Sequence, residues 1–210
     1  MNTNNLPVIT ISRKYGAGGS TIAKGLSEKL SIPWYDREFT SLISKNSGYS
    51  EAEIMTEGEE MSITTKFLDG LLNNVAAYVS SHDAIFKAQK ESIIEMAKSP
   101  CIIVGRCANV ILRSEGIKTF DIFLYADKET RLKRALELIK DPKVDALKYL
   151  EHKDMLRETY YNRYTKRKLG LYEDYNICLD TGRTGYSKAI EILAYIIQND
   201  CREEEEDSEA

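Results

Sequence analysis

The apolar positions along the chain follow two rhythms. Residues 8–11 form a short run, Val-Ile-Thr-Ile, that stops at Ser12 and a glycine cluster, Gly16-Ala17-Gly18-Gly19. A β-branched run bounded by glycine predicts a buried strand feeding a loop. From Ser20 the spacing changes to that of a helix, with Ile22, Leu26 and Leu30 on one stripe and Lys24, Glu28 and Lys29 elsewhere. Residues 32–35 read as a brief extended segment that ends at Asp36-Arg37-Glu38.

Residues 50–99 read as helical. Phe67, Leu71, Val75 and Val79 form one stripe, and Phe86, Ile93, Ile94 and Ala97 another. Residues 101–105 are the clearest buried strand, and residues 120–125 predict a further one. A helix follows, with Asp127 as its N-cap and Leu132, Leu136 and Ile139 expected to face inward. Residues 143–168 predict a highly charged helix, residues 175–179 a last strand and residues 188–198 a last amphipathic helix. Strands alternating with helices predict an α/β fold: a five-stranded parallel sheet with helices on both faces. One domain is expected over residues 1–198, with a helical insertion at 50–99 and a helical lid at 140–170.

Composition narrows the class. With 210 residues, 42% hydrophobic and 30% charged, the chain matches a globular domain and excludes a collagenous or wholly disordered one. No run approaches the roughly 18 apolar residues of a membrane span. Residues 1–6 carry no charge and no apolar stretch, so no signal peptide is expected, and a cytoplasmic location follows by default. The net charge is −4, but residues 202–210 alone contribute −5 and leave a body of +1. A near-neutral body has no electrostatic footprint for nucleic acid, and residues 199–210 are expected as an acidic, disordered tail.

The four cysteines, Cys101, Cys107, Cys178 and Cys201, form no C-x-x-C pair. The two histidines, His82 and His152, lie far apart, so a zinc site is not expected. Cys101 and Cys178 read as buried free thiols, His82 as a helix-start residue and His152 as surface.

The candidate chemistry lies in the glycine loop. Between a strand and a helix, backbone N–H groups and the helix amino end favour phosphate. In the pattern G-x-x-x-x-G-K-[ST], Gly18 takes the second glycine place, Arg13 the first and Gly19 the lysine. Ser20 would then be the hydroxyl that meets Mg²⁺. Arg13 or Lys14 would have to supply the missing charge. Asp36 follows a strand at the sheet end where ligands bind, so it is a candidate for Mg²⁺ or for the acceptor, and also a plain N-cap. Arg37 adds a positive charge there, though an exposed pairing with Glu38 is the favoured account of it. Arg106, directly after the apolar strand, reads as an anion clamp.

These segments together resemble the cytidylate kinase-like family of P-loop proteins. The resemblance rests on ITISRKYGAGGSTIA (residues 9–23), IPWYDRE (32–38), IIVGRCAN (102–109), FLYADKETRLKRA (123–135), RETYYNRYT (157–165) and YNICLDT (175–181), in family order over residues 7–198. In that family a glycine in the lysine place, with an arginine at the loop's start, is usual.

The resemblance implies a nucleoside-monophosphate-kinase fold, ATP and Mg²⁺ as cofactors, and phosphoryl transfer to a small acceptor, CMP first. A different small acceptor, or nucleotide binding without turnover, stay open. ATP would lie over Arg13, Gly16, Ala17, Gly18, Gly19, Ser20 and Thr21. Arg106 would meet the acceptor phosphate, although Cys107 stands where cytidylate kinases carry Asp. Asp154 and Arg157 resemble the family's acceptor-binding Asp and Arg. Arg131 would flank the lid, whereas pattern alone makes Arg131 and Arg134 a solvated basic face. Arg157 and Arg163 would act from the lid beside Lys166, Arg167 and Lys168. Tyr160, Tyr161 and Tyr164 read as packing residues, and Asp180-Thr181 as a loop near the adenine.

Overall fold

The computed structural model describes residues 6–36, 75–139 and 141–208, with side chains over the same stretches except 75–82 and 200–208. Arg37, Phe67, Leu71 and the part of the helical insertion before residue 75 lie outside the described residues.

Strand β1 (Val8–Arg13) leads into helix α1 (Gly19–Leu30) and the short β2 (Trp34–Tyr35). Helix α2 (Val75–Met96) precedes β3 (Ile102–Val104), α3 (Ala108–Ser114) and β4 (Thr119–Tyr125). Then come α4 (Lys128–Leu138), α5 (Ala146–Thr165), a 3₁₀ turn (Tyr172–Asp174), β5 (Ile177–Asp180) and α6 (Thr181–Ser208), which is broken by a kink at Gly185. The five strands are parallel, in the order β2-β3-β1-β4-β5. Every strand therefore ends at the same edge of the sheet, and the order of strand addition reverses beside β1, with β2 and β3 on one side and β4 and β5 on the other. That is the place where open α/β sheets bind ligands.

β1 shows how the sheet divides the core. Ile9 and Ile11 join Ile22, Leu26, Ile122, Leu124, Leu193 and Ile197 on the α1/α6 face. Val8 joins Ile85, Ile103, Ile111, Leu112, Tyr160 and Tyr161 on the face covered by α2, α3 and α5. The polar Thr10 is satisfied by donating to the buried Asp121 at 2.6 Å. Truncating any of these large apolar side chains to alanine costs about 2–5 kcal/mol, because the cavity collapses only in part.

Four expectations are corrected here. Helix α4 does not turn Leu136 inward: Leu136 is 60% exposed and Leu132 half-buried, while Arg131 and Ala135 are buried. Arg131 therefore does not sit on a solvated basic face. His82 lies inside α2 and not at its start. Cys178 is only partly buried. The helical backbone of α6 runs on to Ser208, in keeping with the helix preference of glutamate. Asp127 does cap α4 through the Thr130 amide at 2.8 Å. Among the described residues no helix is long and apolar enough to cross a membrane.

Candidate functional site

The loop between β1 and α1 is supported from outside by its own carbonyls. The carbonyl of Lys14 accepts from the Ala17 amide at 3.2 Å and that of Gly18 from Ile22 at 2.9 Å. Between them, the Tyr15 carbonyl accepts from Arg131 (3.0 Å), Gly16 from Arg134 (3.3 Å) and Ala17 from the Thr181 hydroxyl (2.9 Å). Five consecutive carbonyls are thus engaged. The helix begins at Gly19, so the amides of its first turn have no carbonyl of their own helix to bond. A loop with its negative ends occupied and its amides at a helix start is built for an anion.

Two glycines are required by this packing. Gly16 has φ +75°, and a methyl group there would stand 2.7 Å from the Arg131 carbonyl oxygen. Gly18 has φ +86°, and a methyl group there would stand 2.2 Å from the ring of Tyr186. That ring is itself held under the Arg134 guanidinium, 4.4 Å from its centroid. Burial pushes the Tyr186 phenol up, and the Arg134 charge opposes the shift.

Arg13 lies across Gly19: a β-carbon at position 19 would meet its side chain at 3.1–3.4 Å. The space above the missing lysine is therefore filled by an arginine from the other end of the loop. A guanidinium nitrogen of Arg13 stands 3.6 Å from the Asp36 carboxylate. Asp36 also accepts from the Ser20 hydroxyl. The structure brings Arg13, Ser20 and Asp36 together, and the hydroxyl and carboxylate oxygens are the hard donors Mg²⁺ prefers. Thr21 is exposed in the first turn of α1. Lys14, the other candidate for the missing charge, instead pairs with Glu158 of α5.

Beside the loop, Ser12, Arg13, Gly105, Arg106, Cys107, Arg157, Tyr160, Tyr161 and Leu169 line a cavity that opens to solvent. Arg106 is delivered there by an uncommon turn, with left-handed φ at Gly105 (80°), Arg106 (59°) and Cys107 (59°) in succession. Such a conformation costs a non-glycine residue about 1–2 kcal/mol, so the surroundings must hold it. Part of that hold is the Gly105 amide on the Ile11 carbonyl at 2.9 Å. The Tyr161 phenol accepts from Asn109 Nδ2 at 3.0 Å, and burial drives its proton affinity up, so it stays neutral. Arg157 leans over the Tyr15 ring, 5.6 Å from its centroid.

Some expected site residues are elsewhere. Asp154 is not on the cavity wall: its carboxylate joins Arg131 at 2.6 Å and the Tyr15 amide at 2.8 Å. Arg163 pairs with Asp83 at 3.7 Å and stacks on Tyr164, away from the cavity lining. Tyr160 and Tyr161 pack, as expected, but also face the cavity. Sequence reasoning missed Arg134, Thr181 and Tyr186 as loop supports. The available signal was positional: Thr181 directly follows β5 at the ligand edge, and Arg134 is one turn from Arg131.

Comparison with known proteins bears on the fold. The structure resembles that of an uncharacterized protein from Eubacterium ventriosum, at 26% identity and TM-score 0.67, over 91% of this chain and 98% of that one. It also resembles shikimate kinase from Bacteroides thetaiotaomicron (14% identity, TM-score 0.55, 92% and 99% covered). Shikimate kinase from Acinetobacter baumannii, solved in complex with shikimate, is similar too (17% identity, TM-score 0.54, 93% and 96% covered). These likenesses establish a P-loop kinase fold. No curated protein sequence matches the chain. The model of the cytidylate kinase-like family matches residues 8–183, most of the chain and every segment that builds the loop and the cavity, and the protein belongs to that family.

Proposed function

We propose that this protein transfers the γ-phosphoryl group of ATP to a small anionic acceptor, with CMP or another nucleoside monophosphate as the first choice. The observation that carries this reading is the convergence of Arg13, Arg106 and Arg157 on one cavity beside an anion-binding loop. ATP would place its phosphates on the loop amides of residues 16–21, with Arg13 supplying the cation that a lysine usually supplies. Ser20 and Asp36 would hold Mg²⁺, which neutralises charge on the phosphates when bound. Arg106 and Arg157 would hold the acceptor's anionic group by forked hydrogen bonds. A phosphate acceptor is already ionised at neutral pH, so no general base is needed. Catalysis then comes from positioning and from cations aimed at the transferred group.

The test is coupled phosphoryl transfer from Mg-ATP, screened over CMP, dCMP, UMP, AMP, GMP and shikimate. Turnover with a nucleoside monophosphate that Arg106→Ala removes supports the reading. A second reading, another small acid as acceptor, is favoured by Cys107, buried in the cavity wall where cytidylate kinases carry Asp. Guanidinium groups take carboxylates as readily as phosphates. Turnover with shikimate alone would select it. ATP binding without any turnover would point to a nucleotide-binding protein that does no chemistry.

A further inference from the structure

We propose that Asp154 is a positioning residue of the phosphate loop, through which helix α5 sets the loop's conformation. The inference rests on the phosphoryl-transfer reading but assigns Asp154 to the nucleotide side of the site and not to the acceptor. Asp154 Oδ1 accepts from the Tyr15 amide at 2.8 Å. Its Oδ2 accepts from Arg131 Nη1 at 2.6 Å, and that same nitrogen donates to the Tyr15 carbonyl at 3.0 Å. Both backbone polar groups of Tyr15 are therefore tied to one ion pair. The pair is largely shielded from water, with side-chain exposures of 10% for Arg131 and 13% for Asp154.

The next residue, Gly16, holds φ +75°, and a β-carbon there would collide with the Arg131 backbone. The peptide that Asp154 grips is thus the one that begins the turn of the loop. One helical turn further along α5, Glu158 holds Lys14. Residues 154 and 158 share a helix face, so α5 grips the loop at two successive residues. Arg157 and Tyr161, on that same face, reach the cavity instead. One helix face therefore carries both the loop's anchor and part of the acceptor wall. Without the Asp154 carboxylate, the Tyr15 amide loses its acceptor and Arg131 its counter-charge. The loop amides would then have to be ordered by the incoming phosphates, which weakens binding.

The experiment is hydrogen exchange of the loop amides together with Mg-ATP affinity in Asp154→Asn, which keeps the shape and removes the charge. Exchange at residues 15–19 should quicken about tenfold, as expected for one charge-assisted hydrogen bond. The Mg-ATP Kd should rise by a similar factor while the KM of whichever acceptor turns over stays within about twofold. Amides of β1 and β4 report whether the fold is intact. If Asp154→Asn does not fold, Asp154→Glu, which keeps the charge at a longer reach, should show the same loop effect at smaller size. Unchanged loop exchange, or a raised acceptor KM with ATP affinity intact, overturns the proposal. If the unmodified protein does not bind Mg-ATP, the phosphoryl-transfer reading fails, and loop exchange still decides the role of Asp154.

Discussion

Arg13 stands 3.6 Å from the Asp36 carboxylate, and its stem crosses Gly19 so closely that a β-carbon there would meet it at 3.1 Å. The two features have one cause. A lysine at position 19 and an arginine reaching over from position 13 would compete for the same space, so the loop carries one cation or the other. Arg13→Ala should lower turnover by about 10²–10³, the usual cost of one lost charged contact to the reacting group. Adding Gly19→Lys to Arg13→Ala should restore part of the rate, because the space is then free. Gly19→Lys alone should not help. Steady-state rates of the three variants check this, and no recovery in the double variant would mean that Arg13 does more than carry charge.

The contact of Ser20 with Asp36 makes a prediction about metal. Asp36→Asn keeps an oxygen near Ser20 but removes the negative charge, so Mg²⁺ would be held by a weaker donor set. The Mg²⁺ concentration giving half-maximal rate should rise by roughly tenfold. Ser20→Ala should shift it in the same direction. Rates measured against free Mg²⁺ at saturating ATP provide the readout. An unshifted Mg²⁺ curve with a lower maximum would instead assign Asp36 to holding Arg13.

Gly18 makes a prediction about the fold of the loop. Alanine at φ +86° costs about 1–2 kcal/mol by itself. The added methyl would also stand 2.2 Å from the Tyr186 ring, which must then move and release its stack under Arg134. Gly18→Ala should lower the thermal midpoint and weaken Mg-ATP binding together. Tyr186→Ala in the same chain should recover part of the lost stability, since only the steric share of the penalty involves the ring. Calorimetry of the single and double variants separates the two terms.

The apolar runs of β1, β3 and β4 were legible in the sequence because a parallel strand buried on both faces needs little else than β-branched and apolar residues. The loop and Arg106 were legible for a related reason: glycine and a charge at a strand's carboxyl end have few structural uses. The face of α4 was not. Hydrophobic periodicity assumes that the inward residues are the apolar ones, and it selected Leu132 and Leu136. The structure turns Arg131 and Ala135 inward because that face serves the loop, where carbonyls and Asp154 satisfy a buried guanidinium. Thr181, Arg134 and Tyr186 were hidden likewise. Their roles come from strand order and tertiary contact, which spacing along the chain does not encode. Asp154 was assigned to the acceptor by resemblance alone, and its partners are 139 and 23 residues away.

Burial also sets a pH limit on the fold. Cys101, 1% exposed and directly before β3, has its thiol pushed up to about 12 from 9.0. The folded thiol therefore keeps its proton where the unfolded one has lost it. Its contribution to stability is fully present below pH 9 and is lost as pH rises from 9 towards 12. Tyr161 and Tyr175, whose phenols burial also drives up, add to the loss in the same direction. Urea midpoints should therefore fall steadily above pH 9. Cys101→Ala should be less stable at pH 8 by about 1 kcal/mol, from lost packing. It should also show a shallower alkaline decline than the unmodified chain, because one of the buried groups that titrate late has been removed. Parallel declines would mean that Cys101 takes no part in the alkaline limit. At pH 8 the native thiol should resist iodoacetamide, whereas urea should expose it to rapid labelling.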